Sequence, residues 1–208
     1  GVTALTPAMD GITPPKVLGY ADVVSGRKVA GARVAVIGAG GIGFDVAEFL
    51  VQPKPSPALD AARWRREWGV DETIATPGGV EGVKREVEPP ARQVFLLQRK
   101  AEALGKRLGK TTGWVHRATL KDKGVELLGG VEYQRIDDRG LHVTIDGAPR
   151  LLEVDSVVVC AGQEPLRELH AGLTAAGQTV HLVGGAEVAA ELDAKRAIRQ
   201  ATELAYRL

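Results

Sequence analysis

Six consecutive residues, Gly38-Ala39-Gly40-Gly41-Ile42-Gly43, carry the clearest chemistry in this chain. They fit G-x-G-x-x-G in a context that gives the pattern a physical use. The apolar, β-branched run Arg33–Ile37 precedes them, and Ile42, Val46, Phe49 and Leu50 follow at helical spacing. Gly38 permits a tight turn, Gly40 lets a pyrophosphate approach the backbone, and Gly43 lets the helix pack closely on the sheet. The helix N-terminus adds free N–H groups and a partial positive charge for phosphates. The pattern points to dinucleotide binding, and its plain alternative is a glycine turn that holds no ligand.

The end of the second strand decides which dinucleotide is expected. A carboxylate there would accept from the ribose 2′-hydroxyl of NAD. Here the run Gln93–Gln98 is followed by Arg99-Lys100, two cations suited to a 2′-phosphate. The reading is therefore NADP(H), against a solvated Arg-Lys pair. Arg99 lies beyond the usual offset of about 20 residues, and a Pro-rich insertion at 52–90 accounts for the delay. Gly105-Lys106-Arg107-Leu108-Gly109-Lys110-Thr111 imitates a phosphate loop, but it has three residues between its glycines where the Walker pattern needs four, which excludes an NTPase. Lys106, Arg107 and Lys110 are read either as reaching cofactor phosphates or as solvated charges.

Composition removes other classes. The 208 residues carry 27 Lys+Arg against 26 Asp+Glu, a net charge of +1 that makes no electrostatic case for nucleic acid. No apolar run approaches the roughly 20 residues of a membrane span, so no membrane partner is expected. One cysteine, Cys160, excludes a disulfide framework and a thiolate-held metal or iron–sulfur site, and a reducing cytoplasm is the expected compartment. Cys160 reads as a buried small residue. The four histidines show no metal-ligand spacing, and no residue is assigned a catalytic role. The chain opens on Gly1 and its single methionine is Met9, so a piece of a longer protein is expected.

The elements that must position these residues read as an α/β fold. Residues 1–28 form a connecting segment with one short helix at Val17–Val24. A buried strand at Arg33–Ile37 leads through the glycines to a helix ending near Val51. The 52–90 insertion holds six of the eleven prolines, with Ser56-Pro57 starting a helix that docks through Trp64 and Trp68 and stops at Gly69. A second buried strand at Gln93–Gln98 and a helix at Thr112–Lys123 follow, and Trp114 is expected to pack on the core. Strand-like runs at Val125–Leu128, Val131–Ile136, Leu141–Ile145 and Arg150–Val154 make an antiparallel run separated by turn residues. Ser156–Cys160 is a third buried strand, and Thr179–Val183 another. A final helix over 194–208 carries one apolar face. The result is a Rossmann-like parallel sheet with a small antiparallel meander.

With those residues in hand, the chain resembles the C-terminal part of the bacterial NADPH-dependent 2,4-dienoyl-CoA reductases. The matching stretches are PKVLGYADV (15–23), VAVIGAGGIGFDVAEFL (34–50), LLQRKAEALGKRLGKTTGWVHRATL (96–120), YQRIDDRGLHVTIDG (133–147), VVVCAGQEP (157–165) and VHLVGGAEVAAELDAKRAI (180–198). LGKTTGW and CAGQEP together discriminate far better than the glycine fingerprint. That family is similar to trimethylamine dehydrogenase and to old-yellow-enzyme relatives with extra domains.

The resemblance implies hydride transfer from NADPH to FAD, then single electrons through a 4Fe–4S cluster to FMN, which reduces an unsaturated acyl-CoA in fatty acid breakdown. The FMN barrel, the cluster cysteines and the first FAD half-domain are not in these 208 residues, and they are the implied partners within a parent chain. The implied organisation is an FAD-domain segment at 1–28, an NADPH domain at 29–178, and the closing FAD-domain strand and helix at 179–208. The resemblance also implies that Ala161-Gly162-Gln163 closes over the nicotinamide nucleotide. It implies that Gly184-Gly185 and Glu187 approach a flavin, with the helix start near Glu191–Asp193 facing its ring. With half of the FAD domain missing, the fragment is expected neither to hold FAD stably nor to run the full reaction. The alternatives are a related flavin-dependent ene or amine oxidoreductase, or a non-catalytic module that holds ADP.

Overall fold

The computed structural model describes residues 1–13, 15–190 and 192–208. In chain order its elements are β1 (Val2–Ala4), β2 (Val17–Gly19), α1 (Tyr20–Val24), β3 (Arg33–Ile37), α2 (Gly41–Val51) and α3 (Ala61–Trp68). Next come β4 (Gln93–Leu97), α4 (Gly113–Asp122), β5 (Glu126–Leu128), β6 (Val131–Asp137), β7 (Gly140–Ile145) and β8 (Ala148–Leu152). β9 (Ser156–Val159), β10 (Gln163–Pro165), α5 (Glu168–Ala175) and α6 (Ala194–Ala205) complete the chain. By their contacts the residues divide into two compact units, a central one at 8–160 and a terminal one made of 1–7 and 161–208. Both divisions fall earlier than the expected boundaries at 28/29 and 178/179.

In the central unit, β2, β9, β3, β4 and β5 form one sheet in that order, parallel throughout. β3 lies near its middle, and Val34, Ala35, Val36 and Ile37 are all buried. Alternate strand residues face opposite sides, so burial at every position means that both faces are covered. One face packs Val34, Val36, Val94, Leu96 and Val158 against Phe44, Ala47, Leu50 and Val51 of α2 and Leu120 of α4. Each large side chain removed from water there contributes about 1.5–3 kcal/mol. β6, β7 and β8 form a separate antiparallel meander. The β7–β8 hairpin turns on Asp146 and Gly147, both with positive φ, as a two-residue loop between right-twisted strands requires.

Several expectations need correction. Val17–Gly19 is not the start of a helix but a strand, because β9 offers it a parallel ladder partner. Val125–Leu128 does not open the antiparallel run, since β5 pairs in parallel with β4. Ser56 caps a single 3-10 turn at Pro57–Leu59, while Asp60 caps α3 through the Arg63 N–H at 3.0 Å. Nor do the tryptophans alone dock the insertion. Trp64 is 44% exposed, and no residue of α3 is buried. Lys123, its side chain 2% exposed, pairs with Glu67 and donates to the Glu88 carbonyl at 3.0 Å, and Arg63 pairs with Glu88. A cation that deep must be paired, so these ion pairs join the half-buried Trp68 in docking the insertion. Trp114 is 57% exposed and does not pack on the core.

The terminal unit contains β1 and β10, an antiparallel pair, followed by α5 and α6. Thr179–Val183 forms no strand among the described residues: Val183 has extended dihedrals but no ladder beside it. Gly69 and Gly124 adopt positive φ after their helices, as expected of helix stops. Among the described residues, no helix is long and apolar enough to cross a membrane, and no group of His, Cys, Asp and Glu is arranged to hold a metal.

Candidate functional site

The glycine loop sits at the carboxyl end of β3, between neighbours that fix its start. Gly38 donates to the Leu97 carbonyl at 2.9 Å, and Cys160 donates to the Ile37 carbonyl at 2.8 Å. Three parallel strands, β9, β3 and β4, therefore end together around the loop, where ligands bind in open α/β sheets. Gly38 has φ +106, a turn that an L side chain would strain. A Cβ on Gly43 would lie 1.7 Å from the Gly38 carbonyl oxygen, so that glycine is required by the fold itself.

Gly40 and Gly41 differ. Neither has a positive φ, and a Cβ on either would meet no protein atom within 4 Å. The protein leaves open space on that side of the loop, beside the start of α2. Gly40 is the N-cap of α2, no side chain caps the helix, and its first turn contains no acid. Uncapped N–H groups and the helix dipole face this space with nothing negative to compete. A phosphate-bearing nucleotide fits such a cradle. Ala39 and Ile42 pack partly buried against the core and anchor the two ends of the turn.

Arg99 and Lys100 follow β4, one strand over, and both side chains are exposed. Neither makes an ion pair among the described residues. Arg99 does act on Tyr133, whose hydroxyl is pushed above its ordinary range by burial and pulled partly back by the guanidinium. Lys110 is exposed in the loop before α4, and that loop packs on α2, since a Cβ on Gly105 would lie 2.8 Å from Phe44. Lys106 and Arg107 are engaged elsewhere, at 3.8 and 3.1 Å from the Glu102 carboxylate. The fold thus gathers Gly38–Gly43 with Arg99 and Lys100. Gln98, treated in the sequence only as a strand end, uses its side-chain amide to hold the turn that bears both cations.

The other expected residues belong to the terminal unit. Ala161 is half-buried, Gly162 has φ +119, and its carbonyl accepts from Leu5 at 3.0 Å, while Gln163 begins β10 opposite Ala4. Gly184 and Gly185 form a 3-10 turn that is closed on its own unit. Gly184 donates to Gln200 Oε1 at 2.7 Å, and the Gln200 amide donates to the Glu187 carboxylate. A Cβ on Gly185 would lie 2.6 Å from Val2. The first amide and the carboxylate of this turn are thus both engaged by Gln200. Glu191, at the expected helix start, lies outside the described residues, and Asp193 caps α6 through the Arg196 N–H at 2.7 Å.

Cys160, at the end of β9, is pushed up to about 12 by burial, so it is a thiol rather than a nucleophile at neutral pH. With one cysteine in the chain, no intrachain disulfide can form. His116 sits 2.8 Å from Glu48, an α4-to-α2 contact that ties the glycine-loop helix to its neighbour.

Known proteins resemble this chain in sequence and in fold. A metal reductase of Desulforamulus reducens is 26% identical in an alignment of 185 positions that covers 84% of this chain and 26% of that protein. Among solved structures, a 2-naphthoyl-CoA reductase complex superposes with a TM-score of 0.67 at 18% identity, covering 95% of this chain and 24% of the other. The 6-hydroxypseudooxynicotine amine oxidase of Pseudomonas geniculata gives 0.65 at 18% identity, covering 93% and 25%. The chain spans about a quarter of the length of each of these proteins. Residues 2–195 match the sequence profile described as pyridine nucleotide-disulphide oxidoreductase, and the chain belongs to that family.

Proposed function

We propose that this chain is the NADPH-binding region of a flavin-dependent oxidoreductase of the 2,4-dienoyl-CoA reductase type, with residues 29–178 as the nucleotide domain and 1–28 and 179–208 as parts of a split FAD domain. The observation that carries the reading is the pairing of an open, uncapped glycine cradle with two exposed cations at the end of the adjacent strand. When bound, NADPH supplies a hydride to a flavin. The chain's own residues bind and orient: amides at Gly40–Gly43 receive the pyrophosphate, and Arg99 and Lys100 receive the 2′-phosphate. Lys110 reaches the phosphates from the loop before α4.

This piece is not proposed to hold FAD stably by itself, since half of the FAD domain would lie elsewhere in the parent chain. No hydrophobic side chain of the terminal unit is buried among the described residues, while Leu166, Leu169, Leu173, Val188, Leu192 and Ile198 are exposed. That apolar surface supports the missing FAD half-domain as its partner in the parent chain. The FMN barrel, the 4Fe–4S relay and the unsaturated acyl-CoA are proposed for that parent, in a reducing cytoplasm. Likeness to an amine oxidase keeps a flavin enzyme with an amine substrate as the second reading.

Titration of the chain with NADPH, NADH and ADP tests the proposal. NADPH should bind most tightly. Arg99→Ala should weaken NADPH by about tenfold or more, the scale of a charge-assisted hydrogen bond, and leave NADH within about twofold. Equal losses for both nucleotides would sink the assignment of Arg99, and ADP binding as tightly as NADPH would favour a non-catalytic nucleotide module.

A further inference from the structure

The turn that bears Arg99 and Lys100 is held from within by the residue before it. Gln98 donates from its side-chain amide to the Lys100 carbonyl at 2.9 Å and also to the Glu102 carbonyl. Its backbone is tied as well, donating to the Leu128 carbonyl at 2.9 Å and accepting from Val131 at 3.0 Å. The Lys100 carbonyl takes a second bond, from the Gly130 N–H at 3.0 Å. Both carbonyls turn toward the segment after β5. There Gly129 leaves them room, since its missing Cβ would stand 3.2 and 3.4 Å from them.

Two consequences follow for the side chains. Arg99 and Lys100 project outward, exposed and without ion pairs among the described residues. Glu102, the nearest carboxylate after the strand, is held by Arg107 and Lys106. A free carboxylate close to the end of this strand would suit a ribose 2′-hydroxyl, whereas free cations suit a 2′-phosphate.

We propose that Gln98 is a positioning residue that sets the preference for a 2′-phosphorylated nucleotide, by clasping the Lys100 and Glu102 carbonyls so that the cations stay presented and the carboxylate stays neutralised. This rests on the reading of Arg99 and Lys100 as 2′-phosphate ligands. Gln98 itself touches no nucleotide. Its effect falls on selectivity, because NADH makes no use of the groups it positions.

The test is Gln98→Met, which keeps side-chain length and removes the donor, with Arg99→Ala in parallel. NADPH and NADH are titrated into the 208-residue chain by nicotinamide fluorescence. Q98M should weaken NADPH about three- to tenfold, the scale of a lost neutral hydrogen bond, with NADH binding unchanged. No change, or equal losses for both nucleotides, overturns the role of Gln98. If R99A is selective and Q98M is not, the inference alone fails. If R99A itself loses both nucleotides equally, the 2′-phosphate reading fails with it. Should Q98M not fold, Gln98→Asn carries the same test, since it withdraws the amide by one methylene and should give the same selective loss.

Discussion

Two glycine turns follow apolar runs in this chain, one at Gly38–Gly43 in the central unit and one at Gly184–Glu187 in the terminal unit. In sequence both are glycine turns after apolar runs: the motif gave the first a dinucleotide, and the resemblance gave the second a flavin. In the fold they are opposites. At the second turn the space around the glycines is filled by the unit's own atoms: Gly185 is pressed by Val2, and the Gly184 amide and Glu187 carboxylate both go to Gln200. At the first turn, Gly43 serves the fold, but Gly40 and Gly41 face open space at an uncapped helix start. A glycine whose missing Cβ would strike the protein is explained by packing. A glycine with ordinary φ and nothing beside it leaves room for something that the chain does not itself supply.

The largest test of this contrast is Gly43→Ala. A Cβ 1.7 Å from a backbone carbonyl cannot be relieved by a side-chain rotation, so α2 must move off β3. The cost should exceed about 4 kcal/mol, the range reserved for severe core disruption. Denaturant unfolding read by tryptophan emission reports on it, because Trp64, Trp68 and Trp114 all lie in the central unit.

Gly40→Ala separates fold from ligand. Stability should fall by no more than about 1 kcal/mol, the scale of replacing Gly by the poorer N-cap Ala. NADPH affinity should fall about tenfold or more, equivalent to about 1.4 kcal/mol. Unchanged affinity would show that the open space is not used.

Gln200→Leu probes the closed turn, and it should cost about 1 kcal/mol by leaving a buried amide and a carboxylate without their partner. Circular dichroism would record the loss, and NADPH affinity should not move. A change in affinity would mean that the terminal turn takes part in nucleotide binding after all.

The smallest expected effect is on acid sensitivity. Asp155 is held below the usual carboxylate range by the Arg33 backbone N–H and then by its guanidinium, and Glu88 is held low by Arg63. With the folded pKa depressed, the unfolded state binds more protons. The stabilisation is therefore present above the ordinary value of about 4 and is lost as pH falls through the folded value. In the terminal unit, Glu203 is held low by Arg199 on an exposed helix, where solvent screens the pair. Asp155→Asn should lower tryptophan-monitored stability slightly at neutral pH, and the two curves should converge in acid. Parallel curves at all pH values would remove Asp155 from this role.

Much of the central unit was legible because its signals are local. Arg33–Ile37 and the helix to Val51 appear where the residues place them, and Thr112 and Gly124 bound α4 as expected. The errors occur where a partner far along the chain decides the outcome. Val17–Gly19 becomes a strand because Val157–Val159 lie beside it. Thr179–Val183 has strand-forming residues but no ladder among the described residues. α5 has Leu169 and Leu173 one turn apart and otherwise no apolar periodicity, so nothing in it announced a helix. The apolar face of α6 was legible, yet Ile198 is 65% exposed, since amphipathicity requires a partner without naming it.

The sequence by itself determined much of the central unit: a β-branched strand, a glycine spacing that fits a strand-to-helix turn, and two cations at the end of the adjacent strand. Those are short-range facts of residue type and period. The tertiary structure alone decided which glycine turn is open and which is engaged, that buried ion pairs take part in docking the insertion, and that Gln98 clasps the turn bearing Arg99. Each depends on atoms brought together from distant positions, Lys123 on Glu67 or Gly184 on Gln200, and no local pattern records those meetings.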